Sequence, residues 1–211
     1  MLILTMDILS ISIYTTQSSK GADIFMKVSI GQDSHRFVRE PSLENCELSE
    51  GFPISQNCSS TSYRCDNNHI VAKKKLILGG VVCDEDCPAL DGNSDADVVL
   101  HALCNAISGI TTINILGDVA DSMRSENNIT DSSEYVREAL KYLEERILHI
   151  SFSIECSRPK ISPMILAMRQ RIAEITGVSP LSIGITATSG EGLTDFGKGY
   201  GIQAFCIVTT S

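Results

Sequence analysis

The sequence predicts an α+β fold, an α/β sandwich in which one mixed β-sheet carries helices on one face. Two kinds of segment predict it. Runs of period-two alternation at 27–31, 151–156 and 202–209 read as half-buried strands. Between them lie segments with apolar residues three and four apart, opened by Ser or Asp and closed by Gly, which read as amphipathic helices. At 211 residues the chain is long enough for one compact domain with its own core.

The elements follow in order. Residues 1–25 open on an apolar run that carries Asp7 and no basic segment, and it is too short to span a bilayer. Met26 stands immediately before the first clear strand, so 1–25 is expected to be an N-terminal tail, or the product of an upstream start, and 26–211 the folded domain. The strand at 27–31 leads directly to Asp33 and His35. From about 36 to 75 the chain is rich in Ser, Asn, Cys and charge without period, the mark of an insertion or long surface loop. Residues 76–82 resume as an apolar strand in which Gly79-Gly80 implies a bend or bulge. Ser94-Asp-Ala-Asp97 has the form of a capping box and predicts a helix to about Gly109, with Asp97, His101, Asn105 and Ser108 as a polar stripe. A second helix starts near Asp131 or Ser132 and holds Val136, Leu140, Leu143 and Ile147 on one face. Ser162-Pro163 opens a third, ending before Gly177. Leu181, Ile183, Ile185 and Ala187 line one face of a further strand, and a glycine-punctuated segment from Ser189 to Gly201 leads to the last.

Composition removes several classes of function. The net charge is −9 and the longest basic block is Lys73-Lys74-Lys75, so a nucleic-acid groove has no electrostatic footprint. No apolar run is long enough to cross a membrane. The eight cysteines are scattered through a chain too large to need staples, several of them at alternating apolar positions, and read as reduced thiols of an intracellular protein. A phosphorylated substrate must here be held by local cations, backbone amides or metal ions, because the average field repels it.

Asp33 and His35 stand at i and i+2, and in an extended segment they project from the same side of the backbone. His101 on the polar stripe completes a set of two imidazoles and a carboxylate, the composition of a catalytic zinc site with one open position. Asp97, one turn earlier, is placed to accept the second ring proton of His101. These residues alone also fit an ordinary hydrogen-bonded helix histidine, because D-x-H is a short motif.

Longer motifs narrow the reading. Gly31-Gln-Asp-Ser-His35, Leu90-Asp-Gly-Asn-Ser-Asp-Ala-Asp-Val-Val-Leu-His-Ala-Leu103, Arg158-Pro-Lys160, Ala187-Thr-Ser-Gly-Glu-Gly-Leu193 and Gly197-Lys-Gly-Tyr-Gly201 occur in that order, and with them the chain resembles the 2-C-methyl-D-erythritol 2,4-cyclodiphosphate synthase family from Met26 onward, the insertion apart. The resemblance implies zinc on Asp33, His35 and His101, and magnesium or manganese on Glu191 between the substrate phosphates. It implies substrate contacts at Asp33, His35, Asn93, Ser94, Ile115, Gly117, Pro159, Lys160, Thr188, Ser189, Gly190, Glu191 and Lys198, with Asn93 and Ser189 stabilising the transition state; Ile115-Leu-Gly117 replaces the family's Asp-Ile-Gly if no gap is allowed, and Asp118 takes the acidic position if the loop is shifted. The small-molecule partner is a cytidine diphosphate ester, and the assembly a homotrimer with active sites between subunits. Asn93 stands where the family usually has histidine, Lys198 where arginine is common, and Gln32 where an aromatic residue often lines the trimer's central cavity. Two rival functions accompany this one: a zinc-binding homologue with impaired turnover, and a zinc-dependent phosphohydrolase.

Overall fold

The computed structural model describes residues 2–7, 10–15, 25–38, 62–65, 69–72, 74–83 and 87–211, with side chains for 26–38, 74–83 and 87–211. Strand β3 (Phe25–Arg36) and helix α1 (Val98–Thr111) position the candidate site. Along β3, Ser29 and Gly31 are buried and Asp33 and His35 half-buried toward α1, whereas Ile30, Gln32, Ser34 and Arg36 on the opposite face are exposed. The strand runs five residues beyond the alternating segment read from sequence, so Asp33 and His35 lie within it rather than after it.

Strands β1 (Leu2–Asp7) and β2 (Ser10–Thr15) precede β3, and β8 (Ile147–Glu155), β9 (Ile183–Thr188) and β10 (Gly201–Thr210) follow, with sheet order β1-β2-β3-β10-β8-β9. Only the β8–β9 pairing is parallel; the others are antiparallel. The mixed sheet predicted from sequence is therefore present. Residues 1–25, set aside as a tail, supply two strands at its edge. Within the predicted insertion, β4 (Ser62–Cys65) and β5 (His69–Ala72) pair as a hairpin, and most of the remainder of 36–75 lies outside the described residues.

Helices α1, α3 (Ser132–Leu140) and α4 (Ile165–Thr176) bury Leu100, Leu103, Ile107, Val136, Met168 and Ile172 against Phe152, Ile154, Ala204 and Cys206 of the sheet. Among the described residues the opposite face has no such cover over Ile30, 61% exposed, and its cross-strand partner Ile207, 43% exposed.

Local chemistry accounts for where the boundaries differ from the sequence reading. Asp97, not Ser94, caps α1: its carboxylate accepts from Val99 N and Leu100 N. Gly79 and Gly80, both at positive φ, form the turn of a hairpin between β6 (Ile77–Leu78) and β7 (Val81–Val82), so 76–82 is not one bent strand. Ile147 belongs to β8 and not to the helix that ends at Leu140. Helix α2 (Asp118–Asn127) was not foreseen; it buries no residue fully and sets only the partly buried Val119, Ala120 and Met123 against the core. Leu181 is 88% exposed in a 3-10 turn ahead of β9.

Gly31 sets the distance between β3 and α1, because a Cβ there would fall on the backbone of Ala102 and Ala106. Gly31→Ala is expected to cost at least about 3 kcal/mol, the upper range for overpacking against backbone that cannot yield. Urea unfolding of the variant and parent measures it.

Candidate metal centre

Asp33 and His35 arrive from β3, and His101 from the second turn of α1. One oxygen of Asp33 lies 2.9 Å from His101 Nδ1 and 3.3 Å from His35 Nε2. The imidazole centroids are 5.9 Å apart with the rings at 62°. All three donor atoms lie within 4.8 Å of one another. Two imidazole nitrogens and a carboxylate at this spacing suit a divalent ion and leave room for an exogenous ligand.

Electrostatics agree with the geometry. Burial pushes the Asp33 carboxyl up, but hydrogen bonds and charge from His101 and His35 outweigh it and hold the group well below the usual carboxylate range. The bond to Asp33 raises the His35 imidazole above its ordinary value, against the effect of burial. A proton or a metal cation is thus favoured between these groups.

The loop ahead of α1 closes over the centre. Asn93 is exposed, and Ser94 Oγ accepts from Ala96 N at 3.1 Å. Lys74 donates to the carbonyls of Leu90 and Gly92, each at 3.2 Å, and so ties this loop down beside the triad. Burial lowers the Lys74 ammonium, opposed by the charges of Asp95 and Asp91.

The remaining sequence-predicted residues stand apart. Asp33 pairs in register with Ala204, Ala204 with Ile154, and Ile154 with Ala187. Thr188 to Glu191 therefore lie three strand spacings from the triad, roughly 14 Å. In that loop Gly190 N donates to Thr188 Oγ1 at 3.0 Å, and Glu191 is exposed at φ 50°, a left-handed conformation uncommon outside glycine. Ser189 is exposed, as is Lys198, which pairs with Asp195 at 3.5 Å. Pro159 is buried and Lys160 exposed. Ile115 is wholly buried, its N–H donating to Ser108 Oγ and its carbonyl accepting from Ala120 N, so its side chain faces the core and not a ligand. Gly117 is exposed at φ 144° ahead of α2.

A YgbB family model matches residues 60–211. The 2-C-methyl-D-erythritol 2,4-cyclodiphosphate synthase of Chlamydia felis is 45% identical over 185 residues, covering 87% of this chain and 88% of the relative. That of Chlamydia caviae is 43% identical over 187 residues, 88% of this chain and 89% of the relative. The chain belongs to this synthase family. A solved 2C-methyl-D-erythritol-2,4-cyclodiphosphate synthase in its CDP-bound form superposes with a TM-score of 0.64 at 20% identity, covering 87% of this chain and 99% of that one, a likeness of fold. Asp33 and His35 precede the segment matched by the family model, and the β3–β10 pairing is what brings them to the family's segment.

Asp97 does not serve as the sequence reading expects. Its carboxylate is wholly buried and accepts four backbone N–H groups: Gly79 at 2.8 Å, Gly80 at 2.6 Å, Val99 at 3.0 Å and Leu100 at 3.1 Å. Burial pushes its acid up to about 6, opposed by the Gly80 and Gly79 amides. The second nitrogen of His101 instead faces Ser132 Oγ at 2.8 Å. Ser132, Asp95 and Lys74 are thus neighbours of the centre that the sequence reading missed; only the two acidic positions of the Ser94-Asp-Ala-Asp97 run pointed this way.

Two substitutions separate these roles. Asp33→Asn removes the anionic donor and is expected to weaken divalent-metal binding by more than about 100-fold, beyond the usual range for outer-sphere partners. Asp97→Asn sets an NH2 against backbone donors and is expected to cost about 2 kcal/mol of stability while leaving metal affinity within about threefold, as hydrogen bonds to the centre are not involved. Calorimetric metal titration and thermal melts of both variants read the difference.

Proposed function

We propose that the protein converts 4-diphosphocytidyl-2-C-methyl-D-erythritol 2-phosphate to 2-C-methyl-D-erythritol 2,4-cyclodiphosphate, releasing cytidine monophosphate in the non-mevalonate route to isoprenoid precursors. The convergence of Asp33, His35 and His101 within 4.8 Å carries this reading, because the family's chemistry needs a cation at a diphosphate. In the reaction an oxygen of the substrate's 2-phosphate attacks the β-phosphorus. The new P–O bond closes the ring as the bond to the cytidine monophosphate oxygen breaks, and that oxygen leaves on the nucleotide. It is a cyclising phosphorus-oxygen lyase reaction. The nucleophile is already anionic near neutral pH, so no activated Ser, Cys or His is required.

Asp33, His35 and His101 would hold zinc, and Glu191 would take magnesium or manganese together with phosphate oxygens. When bound, these ions supply positive charge that draws electron density from phosphorus. The chain's own residues fold the substrate back on itself and orient it. Asn93 and Ser94 donate to phosphate from the loop that Lys74 secures. Thr188, Ser189 and the Gly190 region receive the diphosphate, Lys198 lies beside them, the segment around Pro159 and Lys160 borders the cytosine, and the Ile115–Gly117 turn borders the methylerythritol through backbone. Asn93 donates a hydrogen bond but adds no charge; Lys74 is a cation already stationed on the same loop.

One chain holds the triad and the Thr188–Glu191 loop roughly 14 Å apart across the sheet. A substrate diphosphate is shorter than this. We infer that each active site joins the triad of one subunit to the loop of the next in a cytoplasmic homotrimer, for which the Ile30 and Ile207 face offers an apolar contact surface.

Incubating the protein with the substrate should give a ring product seen by phosphorus NMR, lost on chelation and restored by zinc with magnesium. Linear phosphates would indicate a hydrolase instead. Neither Asp33→Asn nor Glu191→Gln subunits should turn over alone, whereas refolding the two together should restore roughly a quarter of the sites, because a shared site needs only one half from each neighbour. No recovery on mixing would place the whole site within one chain.

A further inference from the structure

The hydrogen bonds around His101 define which of its nitrogens meets the metal. Ser132 is wholly buried at the start of α3, and its Oγ bridges His101 Nε2, at 2.8 Å, and Asp95 Oδ1. Asp95 is itself fixed from three sides. Its Oδ2 accepts from Ser132 N at 3.0 Å, its Oδ1 from Asp97 N at 3.2 Å, and its own N–H donates to Thr130 O at 2.9 Å. A carboxylate only accepts, so the single hydroxyl proton of Ser132 goes to Asp95. Ser132 Oγ must then accept from His101, which makes Nε2 a protonated nitrogen and leaves Nδ1, 2.9 Å from Asp33, as the nitrogen free to take a metal ion, or a second proton in its place.

Among the described residues no other group competes for that role. Ser94 Oγ is 3.5 Å from Nε2, at the limit of a hydrogen bond, and both Asp97 oxygens are taken by backbone amides. The Tyr135 ring, 6.1 Å away and tilted by 46°, flanks the imidazole.

We infer that Ser132 and Asp95 are positioning residues for the metal centre: the Asp95–Ser132–His101 bridge fixes the tautomer and orientation of His101 so that Nδ1 is its metal-binding atom. This rests on reading Asp33, His35 and His101 as metal ligands. It assigns α3, which contributes no ligand, a part in metal binding.

Three variants and one spectrum test it. Ser132→Ala removes the bridge but keeps the backbone amide that bonds Asp95 and leaves the Asp131 cap of α3 in place; zinc affinity, measured against a chromophoric chelator, should fall about 10- to 100-fold. Ser132→Thr keeps the hydroxyl and should bind within about threefold of the parent. Asp95→Asn sets an NH2 against either the Ser132 or the Asp97 amide and removes the anion that takes the Ser132 proton, so the bridge no longer holds Nε2 as the protonated nitrogen. Its zinc affinity should fall by a similar factor, and the visible spectrum of its cobalt-substituted form should shift relative to the parent. In the parent loaded with zinc, long-range proton–nitrogen NMR should show the His101 proton on Nε2. A proton on Nδ1, or alanine and asparagine variants that bind zinc and absorb as the parent does, overturns the bridge while leaving the metal centre standing. A parent with no saturable zinc binding overturns the centre and the bridge together. The NMR measurement needs no substitution and decides the matter even if a variant fails to fold.

Discussion

The approach of α1 to β3 is the contact on which the rest of the site depends. It is permitted by the missing side chain at Gly31, where any Cβ would meet the backbone of Ala102 and Ala106. Gly109 does the same one helical stretch later against Ser29. With helix and strand this close, the polar stripe of α1 faces polar groups on β3: His101 reaches Asp33 and Asn105 donates to Gln32 O at 3.0 Å. A wider separation would cost the buried His101 and the half-buried Asp33 their contact with each other, a loss for both groups. The metal centre is therefore a consequence of helix packing rather than an addition to it.

The sheet also dictates how the chemistry is divided. Strand order places β3 and β9 on opposite sides of β10 and β8, and the register aligns Asp33 with Ala187 across all four. The half that carries nitrogen and carboxylate donors and the half that carries the glycine-rich, left-handed turn at Glu191 thus lie at one end of the sheet but too far apart to grip one diphosphate. The proposed assembly of subunits resolves this, and among the described residues the strand face without helices, bearing Ile30 and Ile207, is the exposed apolar surface that would serve it.

Much of this was legible in the sequence, because it rests on local pattern. Alternation located β8 and β10, helical spacing located α1 and α3, and the i, i+2 spacing of Asp33 and His35 survived the finding that the strand extends through both. What sequence could not supply depends on who meets whom. The glycine pair at 79–80 reads equally as a bulge or a turn, and only the antiparallel pairing of Ile77 with Val82 decides. Ile147 fits the helical period of α3, yet a strand with buried partners on both sides captures it. Helix α2 sets only Val119, Ala120 and Met123 against the core, a stripe of a single turn and too short for periodicity to detect.

The two aspartates ahead of α1 show why residue type and spacing underdetermine role. Asp97 stands one turn before His101, the offset at which helix side chains usually meet, and for that reason reads as its partner. Its position as N-cap, however, turns the carboxylate back over the first-turn amides and onto the Gly79-Gly80 turn, which supplies two further donors. Four amides saturate it. Asp95, two residues earlier and outside the helix, points instead toward the start of α3, where Ser132 carries the connection to His101. One carboxylate thus builds the helix and its neighbour orients the ligand on it. The division follows from the residues each oxygen can reach, many of which are remote in sequence: Gly79 and Gly80 lie upstream, and Ser132 lies two helices downstream.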